Sequence, residues 1–118
     1  MSVPRFAPRR PLGRTGFVAT RLGAGDLADR KVPLEACAAT LVRALEAGLN
    51  VVDTAPAYED GMSEEIVGRA LRGRRESVFL IDKIDHLREP VRPQVEASLG
   101  RLALASTVVL VFLELPLR

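Results

Sequence analysis

The chain has 118 residues, enough for one hydrophobic core and too few for a second domain. Hydrophobic residues make up 47% of it and charged residues 27%, a balance typical of globular proteins and not of disordered ones. The net charge of +2 is too small to indicate a nucleic-acid partner, and 4% aromatic residues leave little surface on which bases could stack.

Cysteine usage and hydropathy exclude two further classes of protein. Cys37 is the single cysteine, so there is no internal disulfide framework, and its helical apolar position predicts a core residue. The N-terminal segment has no apolar signal region. The most apolar run, residues 107–117, is about half the ~20 residues needed to cross a bilayer. We therefore expect a cytoplasmic protein with no membrane contact.

The first half of the chain predicts a hairpin, a strand and a helix. The "GRTG" turn lies between short polar–apolar stretches and indicates a β-hairpin over residues 10–22. Residues 22–25 form an apolar stretch short enough for a buried strand. Apolar residues at helical spacing predict a helix over residues 33–46, with Pro33 at its start and Gly48 capping its end.

The second half continues the alternation. The predicted strands cover residues 49–53, 77–83 and 107–113, and the predicted helices cover residues 62–75 and 93–102. Ser63 is the expected N-cap of the first of these helices, with Glu64 and Glu65 in its first turn. Arg72, Arg74 and Arg75 are expected at its end, where the helix dipole favours positive charge.

Alternating strands and helices, with strands that are continuous apolar runs, predict an α/β fold with a parallel sheet. Two architectures compete, an open doubly wound sheet and a (β/α)8 (TIM) barrel. The segment "LGAGDLADR" offers Gly23 and Gly25 but no third glycine at the place that the dinucleotide-binding fingerprint requires after the first strand, so that signal fails. The prediction is an N-terminal hairpin with about four parallel strands and three helices, spanning residues 1–118 as one unit.

Three polar groups are predicted at one end of this sheet. Asp53 and Lys83 each end a strand, and Tyr58 follows in the loop after Asp53. A phenol with a pKa of about 10 is a poor proton donor at neutral pH, but a nearby ammonium favours the phenolate and a carboxylate orients the ammonium. The alternative is that Asp53 caps a loop, Tyr58 packs and Lys83 is a solvated charge.

"NVVDTAPAY" followed by "SEEIVGRAL" resembles the signature of the aldo-keto reductases, and "LGRTGFVATRLGAG" and "VFLIDK" resemble that family's hairpin, first strand and third strand. The resemblance implies the N-terminal half of a (β/α)8 barrel and NAD(P)H-dependent reduction of a small aldehyde or ketone. It implies that Asp53, Tyr58 and Lys83 are three of four catalytic groups, with Tyr58 as general acid. By the same resemblance, Gly25, Asp26, Leu27 and Asp53 lie at the nicotinamide of NADP or NAD, and no metal is implied.

The tail, residues 103–118, departs from that pattern. Glu114 falls where the family has its fourth catalytic group, a histidine, and is either a functional acid or part of an atypical tail that reflects truncation or a change of reading frame. His86, the only histidine, either touches substrate or lies in a solvent-exposed loop. We expect catalysis by this chain alone to be impaired. The alternative function is a non-catalytic half-barrel that associates with itself, or with another fragment, through the exposed fourth strand.

Overall fold

A computed structural model of the chain describes residue 6, residues 8–104 and, as backbone only, residues 109–112. Two short strands, β1 and β2, precede an alternation of helices and strands. In chain order, the elements are β1 (Arg9–Pro11), β2 (Val18–Thr20), α1 (Leu34–Glu46), β3 (Val51–Asp53), α2 (Met62–Ala70), β4 (Phe79–Ile84), α3 (Val91–Leu102) and β5 (Val109–Phe112), with a 3₁₀ turn (Arg75–Ser77) before β4.

The predicted hairpin is confirmed. Strands β1 and β2 pair antiparallel, and Gly13 and Gly16 in the connecting turn have φ of 51° and 79°, a region that favours glycine. The side chain of Asn50 attaches this hairpin to the sheet: its Oδ1 accepts from the Thr20 N–H at 2.8 Å, and its Nδ2 donates to the Val18 carbonyl at 2.9 Å. The hairpin therefore covers the end of the sheet at which β3 begins.

The predicted parallel sheet is also confirmed, in the order β3–β4–β5. Residues 22–25, predicted as the first strand of the parallel sheet, form only a parallel bridge between Ala24 and Val52 within the described part of the chain. The Ala24 N–H donates to Val51 O at 2.9 Å and Ala24 O accepts from the Asp53 N–H at 2.8 Å. The predicted strand was therefore too long, because the segment forms backbone hydrogen bonds with β3 at Ala24 alone.

Helix α1 ends as predicted, with Gly48 following it at a φ of 107°. The prediction of Ser63 as the N-cap of α2 is wrong. Gly61, at a φ of 91°, precedes the helix, and Ser63 lies inside the first turn, where its hydroxyl hydrogen-bonds the Thr54 hydroxyl at 2.8 Å. A buried hydroxyl partner outweighs the local preference for capping.

Two helix boundaries also differ from the prediction. Helix α2 ends at Ala70, so the three arginines expected at its end follow it in the turns before β4. Helix α3 begins at Val91, two residues before the predicted start, with Pro90 as its N-cap. No helix in the described ranges is long and apolar enough to cross a bilayer.

The core lies between the sheet and the three helices. Val52 and Leu80 are fully buried there against side chains from α1, α2 and α3, and Cys37 is buried in the same cluster, as predicted. Side chains alternate between the two faces along a strand, so residues at odd distances from Val52 in β3 and from Leu80 in β4 point to the opposite face of the sheet. Asp53 and Lys83 are on that opposite face. The architecture is an α/β fragment, and the described residues do not close a barrel.

Candidate active site

The candidate site is at the carboxyl ends of β3 and β4. Asp53 is the last residue of β3, and Lys83 is the residue before the end of β4. The strands run parallel, with Asp53 opposite Ile81, so both side chains leave the same edge and the same face of the sheet. Asp53 and Lys83 therefore lie together in the structure, as predicted.

Lys83 is held by two oxygen partners. Its ammonium forms an ion pair with Asp53 Oδ1, and its Nζ donates to the Thr54 carbonyl at 2.8 Å. The Lys83 side chain is 8% exposed and that of Asp53 is 36% exposed, so the lysine is buried and the acid borders solvent. Burial lowers the pKa of Lys83, but hydrogen bonds and charge from Asp53 and Tyr58 outweigh it and raise this pKa above its ordinary value of 10.5.

Tyr58 completes the cluster from the loop that joins β3 to α2. Its hydroxyl is 3.5 Å from Asp53 Oδ1, and its ring centroid is 4.6 Å from Lys83 Nζ. That distance places the ammonium within the range of a cation–π contact. The Ser63 N–H donates to the Tyr58 carbonyl at 3.3 Å, so the first turn of α2 holds the loop at the tyrosine.

The loop after Tyr58 has an unusual backbone and is held by an arginine. Glu59, Asp60 and Gly61 have φ of 47°, 54° and 91°, three consecutive left-handed residues of which two are not glycine. Arg30 donates to the Glu59 carbonyl and carboxylate at 3.0 Å each and is 3.8 Å from the Asp60 carboxylate. This arginine connects the Tyr58 loop to the loop that begins at Ala24.

The predicted cofactor residues directly follow the bridge between Ala24 and Val52. A Cβ built on Gly25 would meet no atom within 4 Å, so the space beside this glycine is open. Asp26 uses its Oδ1 to accept the Ala28 N–H at 2.9 Å, which occupies the side chain within its own loop. Leu27 packs partly buried against the core cluster.

Two further residues, Glu114 and His86, were named from the sequence as candidates. Glu114 lies outside the described residues, so its role stays a prediction. His86 is half-buried, and no described residue pairs with its buried Nδ1, so it is less exposed than the sequence indicated. No group of metal-ligating side chains occurs among the residues that the structure describes.

Sequence reasoning missed Thr54 and Arg30 as members of the site. Thr54 acts through its backbone carbonyl, and a backbone acceptor leaves no trace in the choice of side chain. Arg30 is one of 17 basic residues, and its partners are 29 positions away in a turn whose conformation no pattern predicts. The consecutive "ED" before Gly61 and the consecutive basic residues Arg30 and Lys31 are the only signal that could have indicated the contact.

Comparison with known proteins places the chain in a family. The model of the Aldo/keto reductase family matches residues 21–116. Aldo-keto reductase YhdN of Bacillus subtilis is 41% identical over 80 residues, and Methylglyoxal reductase YeaE of Escherichia coli is 44% identical over 59 residues. A crystal structure of an aldo-keto reductase from Klebsiella pneumoniae in complex with NADPH superposes with a TM-score of 0.72 at 30% identity.

These matches cover half or more of this chain and a smaller part of each relative. They span 58% and 50% of this chain for the two curated relatives and 79% for the solved structure. The corresponding shares of the relatives are 23%, 19% and 34%, so the chain corresponds to about a third or less of each. The likeness to solved aldo-keto reductases confirms the predicted class, a part of a (β/α)8 barrel.

Proposed function

The chain belongs to the aldo/keto reductase family, and on that basis we propose that it carries three catalytic groups for the NAD(P)H-dependent reduction of a small aldehyde or ketone. The observation that carries the proposal is the convergence of Asp53, Tyr58 and Lys83 at one edge of the sheet. A methylglyoxal reductase among the relatives supports a small carbonyl compound as the substrate class.

In this proposal Tyr58 donates its proton to the carbonyl oxygen of the substrate. The phenol oxygen then carries developing negative charge, and the Lys83 ammonium beside the ring stabilises that charge. Asp53 and the Thr54 carbonyl keep the ammonium charged and prevent it from turning toward solvent. All the proton chemistry is thus supplied by one β–α–β unit.

Gly25, Asp26, Leu27 and Asp53 are the residues that we propose to lie against the nicotinamide. The open space at Gly25 and the solvent-facing edge of Asp53 fit a flat ring that approaches the backbone closely. When bound, the cofactor supplies hydride for the carbonyl carbon. Because the Asp26 carboxylate is already used within its own loop, we propose backbone groups and not this side chain as the contact.

The test is oxidation of NADPH and NADH by the full chain, followed at 340 nm with methylglyoxal and a panel of aldehydes. Lys83→Met is compared with Lys31→Met, because Lys31 is the only other lysine and is exposed. We expect turnover to be weak, because the described residues supply three groups and none from β5. Loss of that turnover in Tyr58→Phe and in Lys83→Met, but not in Lys31→Met, supports the proposal, and turnover that survives in Tyr58→Phe refutes it.

The second candidate is a half-barrel that associates with another copy of itself. Strand β5 is last in the order β3–β4–β5, so among the described strands one of its edges has no partner. Light scattering after size exclusion, over a range of protein concentrations, tests this function. A monomer at every concentration contradicts it, whereas a dimer whose fraction rises with protein concentration supports it.

A further inference from the structure

Two acidic side chains are buried between the sheet and the helices, away from the candidate active site. Glu64 on α2 and Asp82 on β4 are both fully buried. Each has one oxygen with a clear partner: Glu64 Oε1 accepts from Arg101 Nε at 2.8 Å and Nη2 at 2.7 Å, and Asp82 Oδ1 accepts from the Lys83 N–H at 2.8 Å. Among the described residues, the other oxygens, Glu64 Oε2 and Asp82 Oδ2, have no hydrogen-bond partner, and both are buried.

The two carboxyl groups are neighbours in the core: Glu64 raises the pKa of Asp82 through its charge and, once one of the two groups is protonated, through a hydrogen bond. If both groups are ionised, neither oxygen can donate a hydrogen, and both stay unsatisfied in the core. Leaving buried acceptors unsatisfied and placing two like charges side by side are both costly. One proton on one of these oxygens removes both problems, because it turns one acceptor into a donor for the other.

The charges around the pair favour a single proton. Arg101 from α3 is the cation that contacts Glu64, and Lys83 from β4 is the cation that acts on Asp82. The Lys83 side chain leaves the opposite face of the sheet and is paired with Asp53, so it only partly compensates a charge on Asp82. Ser98 on α3, also buried, approaches Arg101 Nη2 at 3.5 Å and brings no charge.

We propose that Glu64 and Asp82 share one proton, and that the resulting carboxyl–carboxylate hydrogen bond holds α2 against β4 and is lost when the second carboxyl group ionises. Burial first, and then the hydrogen bond and charge of Glu64, raise the pKa of Asp82 to about 7, against an opposing effect of Lys83. The burial of the two unpaired oxygens and the direction of this pKa shift both favour the protonated pair. Because the groups are coupled, the titration belongs to the pair and not to one residue.

The hydrogen bond of the shared proton links β4, which contains Lys83, to α2, which directly follows the loop with Tyr58. Strand β4 carries Lys83 directly after Asp82, and α2 begins just beyond Tyr58, whose carbonyl accepts a hydrogen bond from its first turn. Glu64 and Asp82 are therefore positioning residues: they do not reach the reacting atoms, and they set how closely α2 lies on β4. The inference does not depend on the reaction, and its test requires no turnover.

The first measurement is the titration of the side-chain carboxyl carbons of the full-length chain by ¹³C NMR between pH 4 and pH 9. We expect one coupled Asp–Glu pair with a midpoint near 7, well above the value of about 4 that is ordinary for a carboxyl group. Asp82→Asn should remove the high midpoint. A wild-type chain in which every carboxyl group titrates below pH 5 overturns the proposal.

The second measurement is the urea midpoint of unfolding at pH 5.5 and pH 8.5. In Asp82→Asn the amide can donate to Glu64 Oε2 while Oδ1 still accepts from Lys83, so the variant imitates the protonated pair at every pH. We expect the midpoint of the wild type to fall, relative to that of Asp82→Asn, as the pH rises. The control Glu65→Gln removes an exposed acid next to Glu64 and should follow the wild type. Equal pH dependence in wild type and Asp82→Asn overturns the proposal, and if the variant does not fold, the wild-type titration decides.

Discussion

The close contact between α2 and α3 gives a quantitative test of the packing around the buried acids. Gly68 is one helical turn after Glu64 on the same face of α2. A Cβ built on Gly68 would be 2.5 Å from the Leu102 carbonyl oxygen and 2.8 Å from its carbon. Restoring an ordinary contact of 3.4 Å requires the helices to separate by about 0.9 Å, because the obstacle is backbone and cannot rotate away.

The magnitude follows from two opposing terms. Alanine is a better helix former than glycine, and this stabilises the variant by about 1 kcal/mol. Overpacking against a rigid neighbour costs about 1 to 3 kcal/mol, and separation of the helices also weakens the bonds between Glu64 and Arg101. We therefore expect Gly68→Ala to lose about 1 to 2 kcal/mol. Gly100→Ala is the matched control, since a Cβ on this α3 glycine would meet no atom within 4 Å, and it should gain up to about 1 kcal/mol.

The assay is urea unfolding followed by circular dichroism at 222 nm, because the chain has no tryptophan. With a slope of about 1 to 2 kcal/mol per molar urea, Gly68→Ala should move the midpoint down by about 1 M and Gly100→Ala should move it slightly up. Both variants add one methyl group to a helix, and the methyl group meets the Leu102 backbone in Gly68→Ala and open space in Gly100→Ala. A Gly68→Ala chain as stable as Gly100→Ala would refute the reasoning, because the helices could then not be in close contact at Leu102.

Three further predictions concern charged and polar contacts. Arg101→Met leaves Glu64 buried without its cation and should cost about 3 kcal/mol in urea unfolding. Asn50→Leu removes the two side-chain bonds to the hairpin and should cost about 2 kcal/mol and speed amide exchange in β2, and unchanged exchange there would contradict this attachment. Because the pKa of Lys83 is raised, the stability from its ion pair is complete below 10.5 and is lost as the pH rises through the higher folded-state value. Lys83→Met should lack this alkaline loss, and Lys31→Met should retain it.

The sequence predicts the candidate site well because its determinants are local. Asp53 and Lys83 each end an apolar run, and parallel strands bring such ends together whatever the details of packing. The short spacing from Asp53 to Tyr58 leaves the tyrosine in the loop at the same edge. The prediction thus needed only the type of each element, and errors of a few residues in the helix boundaries did not affect it.

The buried acids could not be predicted in this way. At the sequence level, Glu64 is an acid in the first turn of a helix, where the dipole favours it, and Asp82 is one polar residue inside a strand. Their proximity is a tertiary contact, because residue 64 of α2, residue 82 of β4 and residue 101 of α3 must come together in the fold. The same reason explains Ser63, since its buried partner Thr54 is not visible in any local pattern.

The geometry of the candidate site and its activity therefore depend on different parts of the fold. Asp53, Tyr58 and Lys83 come from the single unit β3–α2–β4, so the chain can assemble their ion pair and hydrogen bonds by itself. The affinity for cofactor and substrate depends on how much surface surrounds these groups, and of the cofactor surface we propose only Asp53 and the loop at residues 25–27. Weak turnover with an intact alkaline loss from Lys83 would mean that the proton-transfer groups are formed while binding limits the rate. Weak turnover without that loss would mean that the ion pair itself is not formed in solution.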